Sequence, residues 1–378
     1  MKDKVLVAMS GGVDSSVALL RVIELGYDAI GVTMKLWEYR DVGGNLLDDS
    51  NCCSVGAINN AKLICDRMNV PHYTLDFTDI FQKSVVDNFA DEYLAGRTPN
   101  PCVRCNSFVK WDAFIQQAEQ LGAAYIATGH YANVQHTNGS SILKKGKDPL
   151  KDQAYVLWGI PAHTLSRTLF PLGDLTKEEV RHIARENKLE TADIPESMEI
   201  CFVADNNYKR FLKDYAPDRI SQIGKGEILD ETGKVVGEHS GYTDYTIGQR
   251  KGLGLSNPEP RYVSKIDPDT NQIIIGRKDS LNENSCYVSQ MNWLVNNLRF
   301  PRMVQAQIRY NSPIIEAEMF KKEGQVSIEF TNPQKAITPG QSIVFYDDDI
   351  VLGGGVIEIN NTPRTFTNRL SKNKKSCY

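Results

Sequence analysis

At 378 residues the chain has room for two or three domains and a sizeable core. Its formal charge of −4 excludes a globally basic nucleic-acid binder but leaves open a local basic face. No apolar run reaches membrane-span length, residues 1–10 carry no signal-peptide pattern, and eight cysteines over this length do not make a secreted disulfide scaffold, so a cytoplasmic protein with working thiols is expected.

The first predicted element is a buried strand, Val5-Leu6-Val7-Ala8, running into Ser10-Gly11-Gly12-Val13-Asp14-Ser15. Ser16-Val17-Ala18-Leu19-Leu20 then reads as the start of a helix. Strand, glycine turn and helix N-terminus form an anion cradle: glycine lets the backbone approach a phosphate, and the amides of the first helical turn point at it. The sequence holds no G-x-x-x-x-G-K-[ST], so the lysine of the usual P-loop is missing. The motif matches instead the pyrophosphate loop of enzymes that split ATP between its α and β phosphates and attach AMP to a carbonyl oxygen. Asp14 carries no positive charge and is assigned to a metal or to shaping the loop.

Residues 28–34 read as a second strand and 40–50 as a Gly/Asp/Asn-rich mobile loop. Ser54 is the expected cap of a helix with Val55, Ile58, Ala61, Ile64, Cys65 and Met68 on its apolar face. Strands follow at 73–75 and 124–127. This alternation predicts a parallel sheet with helices on both faces and ligands at the carboxyl ends of the strands, where residues 10–15, Met34, Gly129 and His130 fall. Thr176-Lys177-Glu178-Glu179 forms a capping box that opens a further helix. Beyond Cys201 the texture changes to glycine-punctuated short strands at 224–228, 233–237 and 248–252. From about residue 285 only strands are expected, at 304–308, 325–330 and 342–346, which suggests a small β-barrel. The tail 362–378, basic and without acids, reads as a solvated end rather than an RNA arm.

Thr98-Pro99-Asn100-Pro101-Cys102-Val103-Arg104-Cys105-Asn106 is the second informative stretch. Two prolines stiffen the approach to a helix expected from about Asn106, with Phe108, Trp111, Ile115, Ala118 and Leu121 on one face and Gly122 as its stop. Cys105 then sits at a helix N-terminus, where the dipole stabilises a thiolate. A zinc ribbon would need a second C-x-x-C, which is absent, and adjacent Cys52-Cys53 is a poor substitute. A thioredoxin-like pair would need a much smaller domain. An iron–sulfur site on Cys102, Cys105 and Cys201 stays open as an alternative. Cys201 itself lies among apolar neighbours and reads equally as a core cysteine. Cys52, Cys53, Cys65, Cys286 and Cys377 are read as ordinary.

Taken together, residues 8–15, 98–106, 127–131, 151–153, 195–203 and 248–252 resemble the tRNA-specific 2-thiouridylases (the MnmA, or TrmU, family) over nearly the whole chain. The order of so many motifs makes the resemblance specific. In two places the chain departs from the family pattern: Cys102 stands where many members carry Asp, and Met198 where Gln is common. The resemblance implies an α/β fold of three parts: a parallel-sheet pyrophosphate-loop (adenine nucleotide α-hydrolase-like) domain at 1–205, a small α+β central domain at 206–282, and a C-terminal β-barrel with its basic tail at 283–378. It implies ATP-dependent thiolation of the wobble uridine in the glutamate, glutamine and lysine tRNAs, with Mg²⁺ accompanying the ATP. Sulfur would come from an outside donor such as a cysteine desulfurase or a sulfur-relay protein.

Carried over residue by residue, Cys105 is the implied nucleophile and Cys201 the persulfide carrier. Ala8, Met9, Ser10, Gly11, Gly12, Val13, Asp14, Ser15, Met34 and Gly129 are the implied nucleotide site. Asn100, Pro101 and Cys102 are expected against the target base, and His130, Lys151, Asp152, Gln153, Arg309, Tyr310 and Gln341 against the rest of the tRNA. A transient Cys105–Cys201 disulfide would need the two Cα atoms within about 6 Å, so the segment carrying Cys201 is expected to move. Two rivals share the first loop: a ligase adenylating a metabolite, which has no need of the placed thiols, and a non-catalytic RNA-binding module on a degenerate ATPase domain, which the intact loop argues against.

Overall fold

The computed structural model describes residues 2–37, 55–137, 139–195, 200–203, 205–255 and 259–358. The expectations for residues 40–50, Cys52, Cys53, Ser54, Met198 and the tail fall outside these.

The chain begins with β1 (Lys4–Ala8), α1 (Val13–Glu24), β2 (Asp28–Lys35), α2 (Val55–Arg67) and β3 (His72–Asp76). Two long helical runs follow, α3 over 78–94 and α4 over 101–120, then β4 (Tyr125–Ala127), the hairpin β5 (Ala132–Thr137) and β6 (Ser140–Lys145), β7 (Thr168–Leu169) and α5 (Lys177–Glu186). Strands β3-β2-β1-β4-β7 form one sheet with every pairing parallel. Chain order reverses across β1, so the loop after β1 lies at the switch point of the sheet, where such folds open a crevice for ligands. The uninterrupted apolar run Val5-Leu6-Val7 suits a strand covered on both faces, and each of its side chains is fully buried. One face packs against α1, α2 and α5 through Val17, Ala61, Ile64 and Val180. The other packs against α3 and α4 through Phe81, Phe89, Val109 and Phe114.

Two helix starts lie earlier than the sequence suggested. Helix α1 begins at Val13, because extended Gly12 serves as its N-cap, so Asp14 and Ser15 belong to the first turn. Helix α4 begins at Pro101 rather than near Asn106. The Asn100 side chain accepts a hydrogen bond from the Val103 amide, and Pro101 occupies the first helical position, where the missing N–H costs nothing. Its stretch Cys105–Ala113 is π-helical. That widened register changes which side chains share a face: Trp111, Ile115 and Ala118 are buried, but Phe108 and Leu121 are exposed. Val55, expected on the apolar face of α2, is exposed too.

After α6 (Tyr208–Tyr215) and α7 (Pro217–Ser221) comes a four-stranded sheet of β8 (Gly226–Leu229), β9 (Val235–His239), β10 (Tyr262–Asp267) and β11 (Gln272–Gly276), with its own small core. Residues 248–252 are a turn rather than a strand, because Gly248 and Gly252 both take positive φ, outside the strand region. The remaining strands are β12 (Asn282–Trp293), β13 (Arg302–Gln307), β14 (Ile315–Lys322), β15 (Gln325–Lys335), β16 (Ser342–Asp347) and β17 (Ile350–Glu358). They close into a barrel through the β12–β17 pairing, and the β5–β6 hairpin joins the same sheet at β17. The first and last parts of the chain thus share a sheet and a core: Leu143, Tyr155 and Trp158 pack in one cluster with Val344, Tyr346 and Val351.

Candidate active site

The loop joining β1 to α1 is held from several sides. Gly11 has φ +75° and presses on α2 so closely that a Cβ there would lie 2.2 Å from the Ala57 carbonyl oxygen. A Cβ on Gly129, after β4, would lie 2.8 Å from the Asp14 carbonyl carbon and 3.0 Å from the Ser15 nitrogen. Both glycines are therefore required by close backbone approach. The Met9 amide donates to the Val32 carbonyl at 2.8 Å, fixing the loop to β2, and the hydroxyls of Ser15 and Ser16 donate to the Gly12 carbonyl at 3.0 and 2.9 Å. Ser10 Oγ donates to Ser15 Oγ at 3.3 Å. Met34 is buried near the carboxyl end of β2. Ala8, Ser10, Gly12, Asp14 and Gly129 are only partly buried, so the cradle keeps an open side, whereas Gly11, Val13 and Ser15 are packed beneath it.

A lysine that the loop motif lacks arrives from elsewhere in the chain. Lys177 Nζ lies 2.7 and 2.8 Å from the two carboxylate oxygens of Asp14, and Tyr131 Oη donates to Asp14 Oδ1 at 2.8 Å. Lys177 is the first residue of α5, whose capping box at Thr176 and Glu179 is fully formed. Its own amide donates to Asp148 Oδ2 at 2.9 Å. The Lys177 side chain is only 11% exposed and Asp14 32%, so the ammonium is shielded while the carboxylate keeps to the open side of the cradle. The capping box located this helix start in the sequence, but nothing local pointed to its meeting Asp14. The loop, its helix N-terminus, a carboxylate and a cation together suit a nucleotide triphosphate. For a magnesium ion travelling with it, Asp14 is the carboxylate of the loop, but both its oxygens are engaged by Lys177 and one also by Tyr131, so such an ion would be held by phosphate and water.

The thiol site is built on α4. Cys102 is exposed and Cys105 half-buried. Cys105 lies in the second turn rather than at the helix start, so Cys102 is the thiol nearest the helix N-terminus. Cys105 and Cys201 both border the same core cluster, in which Val103, Phe202 and Val203 are buried. Phe202, next to Cys201, is clamped edge-on by Phe81 and Phe89 at 5.7 and 5.2 Å. Among the described residues no three Cys, His, Asp or Glu side chains group as a metal site, so Cys102, Cys105 and Cys201 do not form the cluster geometry held open above. Cys65 and Cys286 are buried, and burial pushes both thiols up to about 12, helped at Cys65 by nearby Asp66, which leaves them inert.

Behind the thiols, Asn100, Val103, Arg104 and Ser107 present another face of α4 to a cleft of about 240 Å³ whose far wall is the barrel, at Asn292 and Ser342. Neither Cys102 nor Cys105 lines it. Arg104 donates through Nε to the Ser84 carbonyl at 2.6 Å and stacks over Phe108 at 4.7 Å.

The residues expected to meet tRNA divide by environment. Tyr310 is exposed, its ring 5.9 Å from that of Tyr155. Arg309 beside it is partly buried and donates to the Ala336 carbonyl and, at 2.8 Å, to Thr338 Oγ1. Lys151 is half-buried. Asp152 Oδ1 accepts from the amides of Gly146 and Ala154, and Gln153 and Tyr131 exchange two hydrogen bonds at 3.0 and 2.8 Å, so both residues shape the 146–154 loop. His130 is buried, bonded to Thr128 Oγ1 at 2.7 Å and packed edge-on against Trp111 and Phe170. Burial, aided by Lys110, drives its pKa well below the ordinary histidine value. Gln341 donates from Nε2 to the carbonyls of Thr98 and Pro99, at 3.1 and 3.0 Å.

Residues 3–205 match the tRNA methyl transferase HUP domain, 209–277 the tRNA methyl transferase PRC-barrel domain and 283–357 the aminomethyltransferase β-barrel domain. The tRNA-specific 2-thiouridylase of Carboxydothermus hydrogenoformans is 46% identical over 364 residues, covering 94% of this chain and 98% of that one. That of Natranaerobius thermophilus is 45% identical over 363 residues, covering 94% and 98%. That of Salinibacter ruber is 45% identical over 361 residues, covering 94% of each. With identity at this level over nearly the whole of each sequence, the chain belongs to the tRNA-specific 2-thiouridylase family.

Proposed function

We propose that this protein is an ATP-dependent tRNA-uridine 2-sulfurtransferase that converts the wobble uridine of the glutamate, glutamine and lysine tRNAs to 2-thiouridine, in the cytoplasm. Exchanging a ring oxygen for sulfur needs a leaving group and a soft nucleophile. ATP supplies the first: uracil O2 attacks the α-phosphorus, pyrophosphate departs, and the base carries AMP on its former carbonyl oxygen. In this reading the amides at the start of α1 and the cation of Lys177, which lies against Asp14 in the first turn, offset charge on the phosphates, and Mg²⁺ accompanying the ATP would neutralise more of it.

Cys201 supplies the second as a persulfide loaded by an outside donor. Its terminal sulfur bonds to C2, and AMP leaves with the old oxygen. Cys105 thiolate then attacks the Cys201 sulfur. The bond from that sulfur to the transferred atom breaks, its electrons remain on the sulfur now at C2, and a Cys105–Cys201 disulfide is left for an external thiol to reduce. The target base leaves its stack to reach this site, and an anticodon loop lowers that cost because it is partly unpaired.

The observation that carries the reading is the pairing of a nucleotide cradle at the sheet switch point with two thiols bordering one core cluster beside the same sheet. Incubation with tRNA, ATP and a persulfide donor, followed by mass spectrometry of the nucleosides, should yield 2-thiouridine. Cys105→Ser and Cys201→Ser should each abolish it. Full product from either variant would overturn the thiol assignment.

A further inference from the structure

We infer that the barrel is a working part of the catalytic centre: Gln341 and Glu358 are positioning residues that hold the segment 97–99, and with it the start of the thiol helix. The inference rests on the proposed reaction only in taking Cys105 as the nucleophile.

The sequence creates the need. Pro99 and Pro101 have no N–H, so the 98–101 stretch is short of the donors that would satisfy its own carbonyls. The carbonyls of Thr98 and Pro99 find one donor group, the Gln341 amide. The Thr98 amide in turn donates to the Pro339 carbonyl at 2.9 Å. Gly340 lies where the two backbones touch. With φ +89°, it would place a Cβ 2.8 Å from the Thr98 carbonyl oxygen and 3.0 Å from Glu92 Oε2, so a larger residue would push the loop away.

A second tie lies alongside. Arg97 donates through Nε to Glu92 Oε2 at 2.6 Å, through Nη2 to Glu358 Oε1 at 3.0 Å, and through Nη1 to Glu358 Oε2. Glu358 ends β17, and Ser289 Oγ on β12 donates to its Oε1 at 2.8 Å. Arg97 and Glu92 are nearly buried, so this fork is shielded from water and geometrically specific. The 339–341 loop and the end of β17 therefore hold Arg97, Thr98 and Pro99, the residues that lead into the cap of α4.

A positioning role and a direct tRNA contact at Gln341 predict different kinetics. Gln341→Met keeps the shape and removes both donors, leaving two carbonyls unsatisfied. Its kcat should fall about 10- to 100-fold, as expected when reacting groups are misplaced, and by more than the tRNA dissociation constant rises. Iodoacetamide labelling of Cys105, followed by peptide mass spectrometry without tRNA or ATP, should change in rate, and amide exchange at 102–105 should quicken. Unchanged kcat with weakened tRNA binding, or unchanged labelling and exchange, would overturn the inference. Glu358→Gln loses the charge but keeps a hydrogen-bonding group, and should show the same pattern more weakly; it replaces Gln341→Met if circular dichroism shows that variant misfolded. Labelling and exchange do not require turnover. A wild-type protein that makes no 2-thiouridine would therefore count against the proposed reaction and leave this test standing.

Discussion

Asp14 and Lys177 show what a single pair of residues contributes. The pyrophosphate loop has an acid where an ordinary P-loop has a lysine, and the fold returns a cation to it from the start of α5. While paired with Asp14, the ammonium is held beside the helix N-terminus that would receive phosphate. Removing a preorganised charge of this kind costs on the order of 100-fold in turnover. Lys177→Met is expected to lose about that much in tRNA-dependent pyrophosphate release, whereas Tyr131→Phe, which removes one hydrogen bond to the same carboxylate, should lose roughly tenfold or less. Equal losses from both variants would mean that Lys177 only braces Asp14.

His130 makes a separate prediction. Burial holds its pKa well below 6.5 in the folded protein, while the unfolded chain binds a proton as pH falls through about 6.5. Its contribution to stability is therefore fully present above that pH and shrinks as the medium is acidified towards the folded pKa, by about 1.4 kcal/mol per pH unit. His130→Asn retains a partner for Thr128 and removes the titration. Denaturant melts between pH 7 and 5 should show a shallower loss of stability than wild type. His72 and His239, whose pKa values burial also lowers, are common to both proteins and cancel in the difference.

At the scale of elements, the thiol helix explains which features were legible in the sequence. The parallel sheet, the capping box of α5 and the strands of the barrel were readable because each is marked by a local pattern: apolar runs, a spaced Thr and Glu, alternation. The start of α4 is marked as well, by Asn100 at the cap and Pro101 in the first turn, one turn ahead of Cys105. Its interior was not readable, because a π-helical register over 105–113 shifts the buried face away from 3.6-residue spacing and leaves Phe108 outside. The Lys177–Asp14 pair and the Gln341 amide were invisible for a different reason. Each joins residues more than a hundred positions apart, and only the tertiary fold brings them together.

For the whole molecule, the domain division expected from sequence, 1–205, 206–282 and 283–378, is crossed twice by the packing. The β5–β6 hairpin pairs with β17 of the barrel, and Leu294, Val344, Tyr346 and Val351 lie in the core cluster that also holds Phe81, Phe114 and Trp158. Helix α6, placed by sequence in the central part, sends Phe211 and Leu212 into the same cluster, and Tyr208 stacks on Tyr93 at 4.6 Å. The four-stranded sheet of the central part has a core of its own around Ile228, Val263 and Ile273. A chain ending at residue 282 would keep that small core but strip the barrel from the large one. It would expose Leu143, Tyr155 and Trp158, each worth about 1.5–3 kcal/mol when buried, and leave the carbonyls of Thr98 and Pro99 without their donor. Such a loss is comparable with the total stability of an ordinary domain. The truncated chain should bind a hydrophobic dye and lack a cooperative melt, while the full chain should unfold its nucleotide-binding part and its barrel in one calorimetric transition. A truncated chain melting as sharply and as high as the full one would show that the shared core is a contact surface between independent units.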